Sequence, residues 1–199
     1  MFLEAHPEFL LQHPALVDKA LAAQRAGNLA QEGQRRNQII ADLRSFSGVT
    51  GAASGSAGHS RLVFFGFTHC PDVCPNTLSH IAQTLSLLKD RAAEVQTFFI
   101  SVDHERDTPE VLKRYVHFFH PDITGLSGTE EQLNRAQSAF SVHSQRYIAS
   151  DDAEEYTFSH SSWIFLINDR GDILTRFSYD TPPQAMVTAI LQFIEPEHG

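Results

Sequence analysis

Apolar residues along this 199-residue chain follow two different rhythms, with a stretch between them that follows neither. Up to Ser45 the rhythm is helical. Phe9, Leu10, Leu16, Val17, Ala20 and Leu21 recur three and four residues apart, the spacing that gathers side chains on one face of an α-helix. Residues 2–45 are therefore expected to be helical. Pro7 and Pro14 divide the segment, since proline is tolerated in a first helical turn. The stripe thins after Leu29 and resumes at Ile39, Ile40 and Leu43. A lone helix cannot bury such a stripe against itself, so it needs either the main domain or another copy of itself.

Ser45 to Ser60 reads SFSGVTGAASGSAGHS, almost all Gly, Ser and Ala, which is the make-up of a flexible linker. From Arg61 onward short apolar runs alternate with amphipathic stretches. LVFFGF (Leu62 to Phe67) and TFFISV (Thr97 to Val102) have the length and continuity of buried strands, and WIFLI (Trp163 to Ile167) is a third. Thr77 to Lys89 carries Leu78, Ile81, Leu85 and Leu88 on one helical face. Thr108-Pro109 supplies a cap and a first-turn proline for a helix through Phe119, and Thr129-Glu-Glu-Gln spells a capping box. Asn168 to Gly171 reads as a hairpin turn before ILTRFSY, and Pro182 or Pro183 opens a last helix through Ile194. Strand–helix–strand units followed by a hairpin and a helix predict an α/β domain, a mixed sheet flanked by helices, and suit a thioredoxin-like fold. The expected division is a helical stalk or oligomerisation segment over 1–45, a linker over 46–60 and the thioredoxin-like domain over 61–199.

Composition narrows the functional classes. Apolar residues make up 42% of the chain, enough for a core, so wholesale disorder is excluded. The net charge of −9 opposes nucleic-acid binding, which needs basic surface to displace counterions. It suits metal cations or a basic protein partner. No apolar run approaches the roughly 18–20 residues that cross a bilayer. Met1 leads straight into FLEAHPEFLLQHP, without the basic region and apolar stretch of a signal peptide, so as written the chain is expected to carry no export signal.

Both cysteines of the chain fall in one segment, Thr68-His69-Cys70-Pro71-Asp72-Val73-Cys74-Pro75, between a buried strand and the start of a helix. Two cysteines cannot form the disulfide framework of a small secreted protein. In a helical or turn-like segment a spacing of four brings them to about 6 Å apart on one face. That lies within the roughly 4.4–6.8 Å range for a disulfide, and it lets two sulfurs converge on one metal. The helix N-terminus favours thiolate, the form that both metal binding and redox chemistry use. Free cysteine is often merely buried, but both thiols at one strand-to-helix corner point to chemistry. His69 borders the motif, and its side chain is expected to point away from Cys70. Asp72 is expected to orient the loop or face a partner rather than bind a soft metal. Eleven histidines are scattered along the chain, and spacing alone selects none of them as a third ligand.

Four separated segments, FFGFTHCPDVCPNTL, SVDHERDTPEVLKRY, FFHPDITGLSGTEEQL and FSHSSWIFLIND, resemble the SCO (SenC/PrrC) family of copper proteins, which serve assembly of the binuclear copper centre of cytochrome c oxidase. The resemblance runs from Arg61 to about Phe193. It implies copper as the metal, with Cys70, Cys74 and, through the match to SHSSWIFLI, His160 as its ligands. Two thiolates and one imidazole form a three-coordinate set that suits copper(I), whereas a structural zinc site takes a fourth ligand. The implied role is a copper chaperone, with a copper-receiving oxidase subunit or another copper chaperone as partner and a periplasmic or membrane-associated setting. The competing reading keeps Cys70 and Cys74 as a redox-active pair in a thiol–disulfide oxidoreductase that reduces the partner's cysteines.

This chain departs from the family pattern at several points. His104 stands where the family usually has proline. Ser159 stands before His160 where an aspartate is common, which would remove a hydrogen-bond acceptor for the imidazole. The Gly/Ser/Ala stretch replaces the family's β-hairpin ahead of LVFFGF, and the usual N-terminal anchor is missing. FLEAHPEFLLQHPALVDKALAAQ is similar instead to the stalk of ScsC-like disulfide isomerases, which implies a homo-oligomer, a trimer, through residues 2–45.

Overall fold

The computed structural model describes residues 14–46, 60–148 and 156–194. The expected helical residues 2–13 and the Gly/Ser/Ala stretch from 47 to 59 lie outside these. Helix α1 (Pro14–Ser45) opens at the second proline, where the missing N–H costs nothing. After it come β1 (Ser60–Gly66), α2 (Val73–Leu88), a 3-10 turn (Lys89–Glu94), β2 (Val95–Ser101) and α3 (Pro109–Phe119). The remaining elements are β3 (Ile123–Leu126), α4 (Glu130–Phe140), β4 (Ser144–Ile148), β5 (Tyr156–His160), β6 (Ile164–Ile167), β7 (Ile173–Phe177) and α5 (Pro183–Ile194).

Five strands form the main sheet in the order β3-β2-β1-β6-β7. The first three run parallel, and β6 and β7 pair antiparallel to complete a mixed sheet. Every residue of central β1 is buried, as expected of a strand covered on both faces. Phe65 and Phe165 meet Phe140 of α4 on one face, while on the other Phe64 meets Phe99, which in turn meets Tyr115 of α3. The caps follow the sequence. Thr108 accepts from the Val111 amide at the head of α3, and Thr129 and Gln132 exchange both bonds of a capping box at the head of α4.

Three strands escape the sequence pattern. Strand β3 has four residues and contains Gly125, too short for a periodicity signal. Strands β4 and β5 form a separate two-stranded sheet. All but one of the residues in SQRYI are exposed, so no apolar alternation marks it. Trp163, expected to open the third buried strand, falls outside β6. It is 37% exposed, with the Arg176 guanidinium 4.4 Å over its ring.

Helix α1 divides its surface between two environments. Ile39, Leu43 and Phe46, spaced four and three apart, are buried and join the core of the α/β domain. Arg35 donates to the Ala139 carbonyl of α4. Phe46 fits over Gly128, where a Cβ would lie 2.7 Å from its ring; only glycine leaves that room. Residues 22–32, by contrast, are exposed, with Leu29 at 67%. Of the two partners the stripe could take, its C-terminal part takes the domain. Leu43→Ala is therefore expected to lower the stability of the whole chain by about 2–3 kcal/mol, the usual cost of a truncated core leucine. Urea unfolding measures this, and an unchanged midpoint would mean that α1 contributes nothing to the domain.

Candidate metal centre

The C-terminal end of β1 hands the chain directly into the thiol segment. Helix α2 begins at Val73 rather than Thr77, so Cys74 and Pro75 lie in its first turn, where proline has no helical bond to lose. Cys74 is fully buried and Cys70 is half-buried. The Cys74 amide donates to Cys70 Sγ at 3.4 Å, so the outer sulfur sits at the positive end of the helix. Gly66 makes this possible, because a Cβ there would fall 2.8 Å from Cys74 Sγ and 2.7 Å from the Phe99 ring. Both thiols are free.

The third donor arrives from far along the chain. His160 ends β5, paired with Ser144, and its Nε2 lies 3.5 Å from Cys74 Sγ. Its Nδ1 lies 3.1 Å from the Ser161 carbonyl. A carbonyl can only accept, so Nδ1 carries the ring proton and Nε2 presents its lone pair to the sulfurs. The acceptor that Ser159 cannot supply thus comes from the backbone of the next residue. The Phe67 ring stands edge-on to the imidazole at 5.9 Å. Donor atoms of Cys70, Cys74 and His160 all lie within 4.8 Å of one another. The three residues picked out in the sequence are therefore brought together.

One proton is shared unequally by the two thiols. Hydrogen bonding from Cys74, opposed by partial burial and aided by the Cys74 and Asp72 amides, brings the Cys70 thiol down to about 4. Cys74 moves in the opposite direction. It is the proton donor in that same bond, it is buried, and it feels the charge on Cys70. Cys70 is the thiolate of the metal-free protein.

His69 is exposed and turned to Thr68 Oγ1, 3.1 Å from its Nδ1, away from the sulfurs as expected. Asp72 is exposed and accepts from the Asn76 side chain, with no side-chain bond capping α2. Sequence reasoning assigned no role to Asp107, which is fully buried. It accepts from the Thr68 amide at 3.0 Å, the Thr68 hydroxyl at 2.6 Å and the Ser101 hydroxyl at 2.6 Å, tying the thiol loop to the end of β2. Its signal was available: an acidic residue directly before the Thr-Pro cap, just past a buried strand. His69, Asp103 and Asp107 also bring donor atoms within 4.8 Å of one another. Both carboxylates there are already occupied by donors from the protein.

Comparison with known proteins agrees with this geometry. The SCO1/SenC family model matches residues 42–195. An SCO2-like protein of Rickettsia felis is 37% identical over 130 residues, covering 65% of this chain and 63% of that protein. The mitochondrial protein SCO2 of Saccharomyces cerevisiae is 32% identical over 155 residues, covering 77% of this chain and 52% of its own. The chain thus spans less than two thirds of the length of these relatives. Among solved structures, Bradyrhizobium japonicum ScoI with copper bound has a TM-score of 0.64 at 34% identity, covering 69% of this chain and 86% of that one. The thioredoxin-like fold is common to both.

The unequal thiols are testable directly. Iodoacetamide should modify Cys70 in the folded, metal-free chain at a rate that is flat from about pH 6 upward and falls as pH drops through about 4. Cys74 should remain unmodified. A Cys70 rate that rises only above pH 8, read by peptide mass spectrometry, would contradict the thiolate assignment.

Proposed function

This chain belongs to the SCO1/SenC family, and from that membership and the site's geometry we propose that it is a copper chaperone. It binds one copper(I) ion through Cys70, Cys74 and His160 and delivers it to a copper-receiving cytochrome c oxidase subunit or to another copper chaperone. The observation that carries this reading is the convergence of two sulfurs and a bare imidazole Nε2 within 4.8 Å. Soft thiolates favour copper(I), and a three-donor set leaves the ion open to an incoming ligand. The ion is cargo. Delivery proceeds by exchange, in which a partner's thiolate replaces one donor at a time. The half-buried Cys70 gives the partner access, while Cys74 keeps hold from inside. The solved copper-bound relative supports the choice of metal. Membership of the family supports a periplasmic or membrane-associated setting. Among the described residues no helix is long and apolar enough to cross a membrane.

The second reading is a thiol–disulfide oxidoreductase acting on the partner's cysteines. A reactive outer thiolate above a buried thiol favours it, since Cys70 would attack the partner's disulfide and Cys74 would resolve the mixed disulfide. Under either reading the oxidised chain closes a reversible Cys70–Cys74 disulfide that blocks copper uptake. For the N-terminal segment the proposal is self-association as a trimer, supported by the exposed residues 22–32 of α1. Light scattering should give the mass of three chains, and Leu29→Glu should reduce it. A monomeric mass for the parent at every concentration would end that proposal.

Anaerobic titration with copper(I) should give one ion per chain, lost in Cys70→Ala and in Cys74→Ala. His160→Ala should weaken binding about tenfold or more, within the range that changes around a metal site produce, and leave disulfide exchange intact. Loading of an oxidase subunit whose cysteines are already reduced separates the readings. A His160→Ala chain that loads it as well as the parent would replace the chaperone with the oxidoreductase.

A further inference from the structure

His160 is held by a sheet that shares no strand with the main one. Among the described residues, strands β4 and β5 pair only with each other, so the main-sheet ladder does not fix the imidazole above the thiols. Two sets of contacts do. Near His160, Ser161 and His143 continue the pairing, and the Ser144 hydroxyl donates to Gln137 of α4 at 2.6 Å. At the far end of β5, Tyr156 is 8% exposed and its ring lies between two guanidinium groups. The Cζ atoms of Arg106 and Arg146 are each 3.6 Å from the ring centroid.

Both arginines are held by acids of the loop between β2 and α3. Arg106 bonds the Asp103 carboxylate and donates to the Tyr156 carbonyl at 3.1 Å. Arg146 donates to both Glu105 oxygens at 3.0 Å. The tyrosine hydroxyl donates to Asp103 at 2.8 Å. The loop of Asp103, Glu105 and Arg106 thereby grips the hairpin, and Asp107 of that loop grips Thr68 beside the thiols. From Tyr156 a line of edge-on rings, Phe158 and then Phe67, leads to the imidazole at separations of 5.8, 5.5 and 5.9 Å.

We propose that Arg146, closing the stack over Tyr156, is a positioning residue that sets the His160 imidazole against the thiol pair. The inference rests on the copper reading above for its consequence, but its geometry does not need the metal. One nitrogen of Arg146, Nη1, reaches both Glu105 oxygens while the guanidinium plane lies on the tyrosine ring; lysine can keep the carboxylate contact but offers no planar group to stack. Arg146 is itself partly exposed, so its substitution removes the stack without opening a hole in the core.

The test uses the full-length chain and two readouts. In the reduced, metal-free protein, the ring proton signals of His160 carry a shift from the Phe67 ring. Arg146→Gln should move them toward the values of a mobile histidine, and Arg146→Lys should restore part of the shift. Copper(I) affinity, measured by competition with a chelator, should fall about tenfold in Arg146→Gln, the low end of what changes around a ligand produce. The same substitution in a His160→Ala background should have no further effect, since the residue acts through His160. Unchanged His160 signals in Arg146→Gln would overturn the proposal, as would an equal affinity loss in both backgrounds. A parent chain that binds no copper(I) would defeat the copper reading alone, and the imidazole signals would then decide the positioning role.

Discussion

The contact between the Cys74 sulfur and the backbone of Gly66 is the constraint on which the rest of the site depends. A sulfur this close to the end of β1 fixes the first turn of α2 against the sheet, and Leu78, Ile81 and Leu85 then bury the helix behind it. It also dictates the electrostatics. A fully buried thiol has no water to stabilise a negative charge, so it keeps its proton until something else neutralises the sulfur. The charge therefore goes to Cys70, which is half in solvent and accepts the helix amide. The difference between the two thiols is first the direction of the hydrogen bond they share, Cys74 donating and Cys70 accepting, and then the deeper burial of Cys74.

Across the site the organising element is a loop. Asp103 and Asp107 are buried carboxylates, and such groups are tolerated only where donors meet them. The donors come from the segments that carry the metal-type ligands: Thr68 from the thiol loop and Tyr156 from the histidine hairpin. Satisfying the two acids and holding the ligands in register are thus one set of hydrogen bonds. The imidazole takes its acceptor from the Ser161 carbonyl, and its approach to the sulfurs is fixed by what its hairpin stands on.

The sequence carried the central strands, the capped helices and the thiol pair, because these depend on local signals: continuous apolar runs, Thr-Pro and Thr-x-x-Gln caps, and a four-residue spacing. Strands β4 and β5 left weaker signals: β4 is exposed almost throughout, and β5, where Tyr156 and Phe158 alternate with the exposed Thr157 and Ser159, is only five residues long. For the same reason His160 could be reached only through family resemblance. Its partner Cys74 is 86 positions away, and nothing local distinguishes it from ten other histidines. The stripe on α1 posed a different difficulty. Periodicity announced an apolar face without saying what covers it, and Gly128, which makes the seat for Phe46, lies 82 residues further on.

These three donors are held with unequal firmness, and that inequality bears on how a cargo ion would leave. Cys74 is locked by the core and by Gly66. Cys70 lies in the loop just before the first turn of α2 and is reachable from solvent. His160 sits on a separate sheet whose hold on the domain is polar and cationic rather than a buried ladder. An incoming thiolate therefore meets least resistance at the imidazole and at Cys70, and most at Cys74. A site with three equally rigid donors would bind more tightly and release more slowly. Under the chaperone reading proposed above, a donor on an element of its own would give up some affinity for a route of exchange, and the −9 charge of the chain would draw a basic receiving surface toward it. Under the oxidoreductase reading the hairpin would have no part to play, because disulfide exchange draws only on the thiols.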